Sequence, residues 1–519
     1  MSGAAPERID ALLRRHAQEN GDRIALIDAP DRGRITGGAP SALTYAEVDR
    51  IVDVFAHRLH ALGLRRGSVI AVQLPHTVES VLAYLGILRA GMVAALLPQL
   101  WRRRDIVAAL TPLAPKAIVT ATRIGDVATA ELAMTAAAEL FTVRYVCAFG
   151  EDVPDGVVPC DDVFDIASDG DLAAAPLPED GPDGCAEPAV ITFDTAWGDA
   201  ASGPVAVTRN HRQVLAGGQA VCAAANLPAG AAILSPLPLS SFAGFCLTLL
   251  PWLLTGGTLS LHCPFDAEIF AGQLRERAMD CVVLPGPALA PLADVLATAP
   301  SATVLGLWRA PERHATSTVW PDTLPKLIDV LSFGETGFVP VQRLPSGLPG
   351  AIAVSSSPSA EQLVQVTLTE TGTIALSGAM VARIAMPPDQ WTTDESSTIV
   401  DTGFPGRVAA ESGSLIVTGG RPGMIAVGGY AFQTAELDGL AGETHLGATF
   451  TSAPDDLLGQ RPAGQSLHPA LVREMLIERG TNPLLVEAFR DHPMGEPSAP
   501  PATSLDADPT LSPTALTGR

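Results

Sequence analysis

The side chains that could attack, shuttle protons or hold metals are thinly spread in this sequence. Seven cysteines lie between Cys147 and Cys281 with no CxxC pair, a pattern of reduced, mostly buried thiols and not of a disulfide framework or zinc knuckle. Ten histidines include no HExxH and no close grouping with cysteine, so no metal ligands are assigned and a structural or catalytic zinc is not expected. Of 33 basic residues only two are lysines, Lys116 and Lys326. Codon bias toward arginine accounts for the scarcity, and a mechanism that needs two specific lysines is easy to test.

Composition narrows the functional classes further. A chain of 519 residues exceeds what one hydrophobic core organises, and 47% hydrophobic residues are ample for burial, so at least two folded domains are expected. The net charge of -23 repels phosphate backbones and anionic headgroups, and no basic run with interleaved aromatics offsets it, which excludes nucleic acid as a partner. The opening MSGAAPERIDALLRRHAQENGDR is charged and helix-patterned and carries no apolar core of a signal peptide. Leu247 to Leu259 is the most apolar stretch, but Pro251, Gly256 and Gly257 break it, and it is too short to span a bilayer. A cytoplasmic protein without a membrane span is expected.

The elements that must position any site follow from periodicity. Thr44 and Glu47 form a capping box, after which Val48, Ile51, Val52, Phe55 and Leu59 recur at helical spacing until Gly63. Ser68 to Leu74 reads as a buried strand, Val78 to Ala90 as a helix and Met92 to Leu97 as the next strand; short apolar runs at Ala117 to Val119, Tyr145 to Phe149, Ala189 to Phe193 and Cys281 to Leu284 repeat the alternation. This predicts an α/β protein: a large N-terminal domain, residues 1–420, of mainly parallel α/β sheets. Within it an acidic, Pro/Gly/Asp-rich connector occupies about 151–187, and a β-rich subdomain occupies about 350–420, marked by VQVTLTETGTIAL and SGSLIVTGG. A small, shortened α+β C-terminal domain follows over 421–492, and 493–519 has the composition of a disordered tail.

Several segments, in order and at plausible spacing, carry a resemblance: LTYAEVDRIVDVFAHRLHALGLRRGSVIAVQLPHTVESVLAYLGILRAGMVAALLP, FDAEIFAGQLRERAMDCVVLPGPAL, DTGFPGRV, IAVGGYAFQTAEL and APDDLLGQRPAG. Together they resemble the AMP-forming acyl-CoA synthetase and adenylation-domain superfamily over nearly the whole chain. Members activate a carboxylate with ATP as an acyl-adenylate and then pass the acyl group to a thiol. The resemblance therefore implies the two-domain fold and places a nucleotide site at defined motifs.

At those motifs the polar residues are altered. The family's TSGTTGxPKG phosphate loop corresponds to ITFDTAWGDAASGPVAVTRNHRQ, where His211 matches the family histidine, Asp194 and Asp199 add negative charge, Trp197 adds bulk and Val205 stands at the lysine. In the YGxTE position, Ser332-Phe333-Gly334-Glu335-Thr336-Gly337 keeps the threonine, Thr336, but puts Gly337 at the magnesium-binding glutamate, and the adjacent Glu335 is expected to project elsewhere unless the loop is remodelled. The GGAP motif reads Trp308-Arg309-Ala310-Pro311, with Trp308 either filling part of the adenine or acyl pocket or packing in the core. Phe404 replaces the ribose-binding aspartate, and a phenyl ring cannot accept its hydrogen bonds; Asp401 has the wrong offset to stand in. Arg421 corresponds to the arginine of GRxxDxI, with Gly423 at the hinge and Pro422 stiffening it. After NPLLVEAFRD the family's C-terminal lysine is missing, His492-Pro493-Met494-Gly495-Glu496-Pro497 standing in its place.

Losing one preorganised donor costs on the order of 10²–10³ in rate, and several are altered together here. The selective loss points to a catalytically degenerate homologue, a non-adenylating protein that binds a partner protein or a small acyl- or CoA-type ligand and has no assigned cofactor. The alternative is a divergent ATP-dependent carboxylate-CoA ligase or acyl-transferring enzyme, which would use ATP with magnesium and CoA at a remodelled site. Thr336, Arg421, His211, Glu335, Trp308 and Phe333 are the residual site residues. A third reading is a structural subunit paired with an active paralogue.

Overall fold

The computed structural model describes residues 8–164, 184–195, 203–299, 302–355, 362–382 and 399–490. Two large sheets dominate it. In a seven-stranded sheet the order is Val158–Pro159, Tyr145–Phe149, Ala117–Ala121, Val69–Gln73, Val93–Leu96, Pro188–Asp194 and Val205–Asn210, parallel throughout except for the last pair. An eight-stranded sheet runs Gly337–Gln342, Lys326–Phe333, Thr303–Trp308, Cys281–Pro285, Ala232–Ser235, Thr258–Leu261, Ile24–Ile27 and Ala42–Thr44, antiparallel only at its two edges. The N-terminal part is therefore mixed α/β with largely parallel sheets, as the alternation of apolar runs predicts.

The strand period of two decides which face meets which core. Ile70 and Val72 point into the main core, whereas Val69 and Ala71 point into a second cluster on the opposite face. Both faces are covered, which is why these strands read as continuous apolar runs. The main core is filled by the wholly buried helix Val78–Arg89 and by Phe242–Thr255. The latter, with Pro251 inside it, hands over at Gly256 to the strand Thr258–Leu261, so the most apolar stretch of the chain becomes a buried helix and strand. Helix Tyr45–Ala61 starts at the expected capping box, Thr44 Oγ1 accepting from the Glu47 amide while Glu47 accepts from the Thr44 amide at 2.8 Å. Among the described residues no helix is long and apolar enough to cross a membrane, and five of the seven cysteines are buried.

One segment departs from its sequence reading. The acidic stretch read as an exposed connector begins with the edge strand Val158–Pro159 and a helical turn at Asp161–Phe164, whose Val163 is fully buried. Apolar residues interspersed among the acids anchor this part against the sheet; residues 165–183 lie outside the described residues, as do Trp197, Asp199, His492 to Pro497 and the tail 493–519.

Two antiparallel four-stranded sheets complete the chain. One contains the hairpin Gln365–Leu368 and Thr373–Ser377 with Val400–Val408 and Leu415–Val417. The other, ordered Tyr430–Gln433, Met424–Val427, Gly459–Gln465 and Thr449–Asp455, has its own apolar cluster shared with helices Thr434–Glu443, Pro469–Glu478 and Pro483–Glu487. This C-terminal sheet sits against the parallel sheets through Leu100, whose amide donates to Tyr430 Oη at 3.0 Å, and through Gln433, whose Nε2 donates to the Thr195 carbonyl at 2.9 Å. Gly423 (φ +71) makes the bend that admits the sheet, and its carbonyl accepts from the Thr434 amide.

Candidate functional site

A cavity of about 760 Å³ opens where the strands Pro188–Asp194, Thr303–Trp308 and Lys326–Phe333 end, and the C-terminal sheet closes its far side. The carboxyl ends of parallel strands are where open α/β sheets hold ligands, because the connecting loops diverge there.

Its centre is an ion pair. Asp194 ends its strand and presents Oδ1 to Arg421 Nη1 at 2.7 Å and Oδ2 to the Glu335 amide at 2.8 Å. Arg421 also donates through Nε to the Thr402 carbonyl at 2.7 Å, and its guanidinium carbon lies 5.0 Å from the centre of the Phe404 ring. The side chains are 4% and 9% exposed, so this is a buried pair held by further hydrogen bonds. Gly334 (φ +60) makes the approach possible: a Cβ there would stand 2.4 Å from Asp194 Oδ2 and 2.5 Å from Arg421 Nη2.

Beneath the pair lies a second buried cation. Arg209 stacks 3.6 Å over the Phe242 ring and donates through Nη2 to the carbonyls of Glu335 and Thr336. Burial pulls its pKa down to about 10. The Glu335 carboxylate accepts from the Phe242 amide at 2.8 Å and is pushed above the usual glutamate range by burial, against the opposing pull of that amide, Thr192, Arg209 and Arg309. Glu335 is among the residues that line the cavity, with its carboxylate turned to the Phe242 amide. The Gly337 position faces the other way, since a Cβ there would meet Leu376, Met380 and Val381.

The remaining residues singled out in the sequence divide clearly. Arg421, Glu335 and Phe404 line the cavity, the last in a T-shaped contact with Phe333, the ring centres 5.5 Å apart. Trp308 packs as core: it covers Gly286 and donates from Nε1 to Asp329 at 2.7 Å, so it occupies no part of the cavity. Phe333 and Thr336 are fully buried behind the lining, and Thr336 Oγ1 has no hydrogen-bond partner among the described residues. His211 opens the helix His211–Ala225 and accepts from the Ile9 amide through Nδ1 at 3.3 Å, away from the cavity lining. Val205 pairs with Asp194 across the strands beside the cavity. Asp401 is exposed and accepts from Thr373 and from the Gly403 amide.

Several lining residues escaped the sequence reading as site residues: Arg309, Asp105, Tyr430 and Glu436. Arg309 stands in the altered WRAP motif, and Tyr430 follows a Gly-Gly pair, so weak signals existed. Asp105, which caps its own helix by accepting from the Arg102 amide, gave none.

A nucleotide with magnesium does not fit these residues. Phe404 offers no acceptor to a ribose, the Asp194 carboxylate already engages Arg421, and the Gly337 position points into an apolar pack. Among the described residues no three His, Cys, Asp or Glu side chains converge as a metal site.

Residues 13–179 match the AMP-binding enzyme family. Acetyl-coenzyme A synthetase of Escherichia coli (strain K12) is 38% identical over 81 residues, which are 16% of this chain and only 12% of that protein. Among solved structures, the amide bond synthetase McbA from Marinactinospora thermotolerans superposes with a TM-score of 0.67 at 18% identity, covering 92% of this chain and 94% of that one. Mycobacterium smegmatis MbtA gives 0.64 at 23% identity, covering 92% and 89%. The sequence match thus covers the N-terminal third of the chain, which spans only a small part of the curated relatives it matches, while the fold of those solved structures extends over nearly its whole length.

Proposed function

We propose that this protein is a non-adenylating member of the superfamily whose cavity binds a small organic ligand without ATP. One observation carries the reading: the buried Asp194–Arg421 pair, which uses up the arginine and sets a carboxylate at the position of the phosphate loop. Phosphate entering there would have to displace Asp194 from Arg421 and then lie beside a buried carboxylate that has lost this cation, a penalty on the order of 3–5 kcal/mol for breaking such a pair. Phe404 supports the reading, since a ribose would lose two hydroxyl partners against its ring. The cavity itself is large enough for a drug-sized ligand and combines aromatic walls with a few charged groups.

The test is calorimetry of the full chain with ATP and magnesium, together with carboxylate-dependent pyrophosphate exchange. Neither binding nor exchange is expected. Exchange at ordinary synthetase rates refutes the proposal, and retention of a co-purifying protein in place of any small ligand moves the function to a protein partner.

A further inference from the structure

The cavity is lined by four arginines, of which two face carboxylates and a third, Arg313, is tied to a backbone carbonyl. Arg421 is paired with Asp194, Arg104 lies 3.9 Å from Glu436, and Arg313 donates to the Asp456 carbonyl at 2.9 Å. Arg309 differs. Its Nη2 donates to Ser241 Oγ at 2.8 Å, and no carboxylate of the described residues forms an ion pair with it. Ser241 is fixed in turn as the cap of helix Phe242–Thr255, its Oγ accepting from the Gly244 amide at 3.1 Å. The guanidinium is thereby held in one orientation by a neutral group.

What lies over it is space. The facing hairpin carries Gly428 and Gly429, which line the cavity, and a Cβ added at Gly429 would stand 3.7 Å from Arg309 Nε. Burial weakens the proton affinity of the Arg309 guanidinium, with Glu335 and Tyr430 opposing that effect. Glu335 is itself drawn toward its neutral form and has its Oε2 engaged by the Phe242 amide, so it supplies an incomplete counter-charge. A partly desolvated guanidinium with open donors is complementary to a planar anion that accepts two parallel bonds. Trp101, Phe193 and Phe404 provide apolar wall for the rest of such a molecule.

We propose that Arg309 is the anchor of this cavity, seating the carboxylate of a small, unactivated organic acid beside Ser241 while its apolar body lies against Trp101, Phe193 and Phe404. This rests on the reading of the cavity as a ligand site that works without nucleotide. Nothing in it requires a covalent step.

The experiment is titration calorimetry of the full chain, without ATP or magnesium, against benzoate and octanoate, their neutral amides benzamide and octanamide, and inorganic phosphate. At least one acid is expected to bind with its amide at least tenfold weaker, and Arg309→Gln is expected to weaken the acid by about tenfold to a hundredfold. Gly429→Val keeps Arg309, and its Cβ meets nothing nearer than the 3.7 Å contact with Arg309 Nε while the side chain stands over the guanidinium, so it guards against misfolding of the arginine variant and is expected to weaken the same acid comparably. Failure of both acids to bind, unchanged affinity in both variants, or preference for phosphate over both acids overturns the assignment. Pyrophosphate exchange measured on the same samples separates the two ideas: acid-dependent exchange sinks the non-adenylating reading while leaving a demonstrated Arg309 anchor in place.

Discussion

Replacing Arg421 with methionine would leave Asp194 in the protein interior without its cation. Asp194 is 4% exposed, and the general cost of stranding a buried charge in this way is about 3–5 kcal/mol. Because the Glu335 amide still donates to Asp194 at 2.8 Å, the lower end, about 3 kcal/mol, is expected. Asp194→Asn keeps one acceptor where the carboxylate had two, so either Arg421 or the Glu335 amide faces its NH2 group, and the guanidinium is left without a counter-charge. The double substitution removes both charges and should recover about 1–3 kcal/mol relative to the sum of the single changes. A chain of several sheets need not unfold in one step, so the assay is the order of calorimetric melting temperatures: wild type highest, Arg421→Met lowest, the double variant above Arg421→Met. If Arg421→Met melts with the wild type, or if the double variant loses the full sum of the singles, the pair is not the central contact that Gly334 is shaped to admit.

The carboxyl of Asp105 is pushed from the ordinary 3.8 up to about 7, first by burial and then by Glu436, against the Arg102 amide and the nearby arginines. The folded protein therefore keeps a proton that the unfolded chain releases, and stability is lost as pH rises from about 4 to about 7. Asp105→Asn should flatten that fall in melting temperature while matching the wild type below pH 4; an unchanged slope refutes it. Trp308→Phe removes the bond to fully buried Asp329, which keeps His314 and Arg343, and should cost about 1–3 kcal/mol in thermal stability while benzoate titration is unaltered. Phe404→Asp returns a carboxylate to the ribose position but should not restore ATP binding by calorimetry, because Asp194 still holds Arg421; loss of the ring contact with Phe333 should cost about 3–5 kcal/mol of stability, as at a truncated aromatic core position, and lower the melting temperature accordingly.

Much of the scaffold was legible because its signals are local. The capping box of Thr44 and Glu47, the strand at 69–73 and the hairpin at 365–377 depend on neighbours within a few residues, and the structure places each within a residue or two of its sequence reading. The connector was misjudged at its start for the opposite reason: Val158 pairs as a strand and Val163 becomes buried only because a sheet edge happens to be available to them.

The site shows the same division more sharply. From residue types alone it was legible that Phe404 cannot hold a ribose, that no lysine lies near Val205 and that Arg421 survives. The partner of Arg421 was not, because Asp194 lies 227 residues earlier and meets it only where two strand ends and the start of the C-terminal sheet converge. Nor could spacing show that Glu335 is among the cavity's lining residues while the Gly337 position points into apolar packing; that arrangement follows from the left-handed turn at Gly334, which aims successive side chains in directions the motif does not encode. Trp308 likewise became core, and Arg309 cavity wall, only when the strand Thr303–Trp308 found its place in the sheet. Local propensity and periodicity wrote the elements into the sequence, whereas the chemistry of the cavity belongs to contacts between distant strand ends, which exist only in the folded chain.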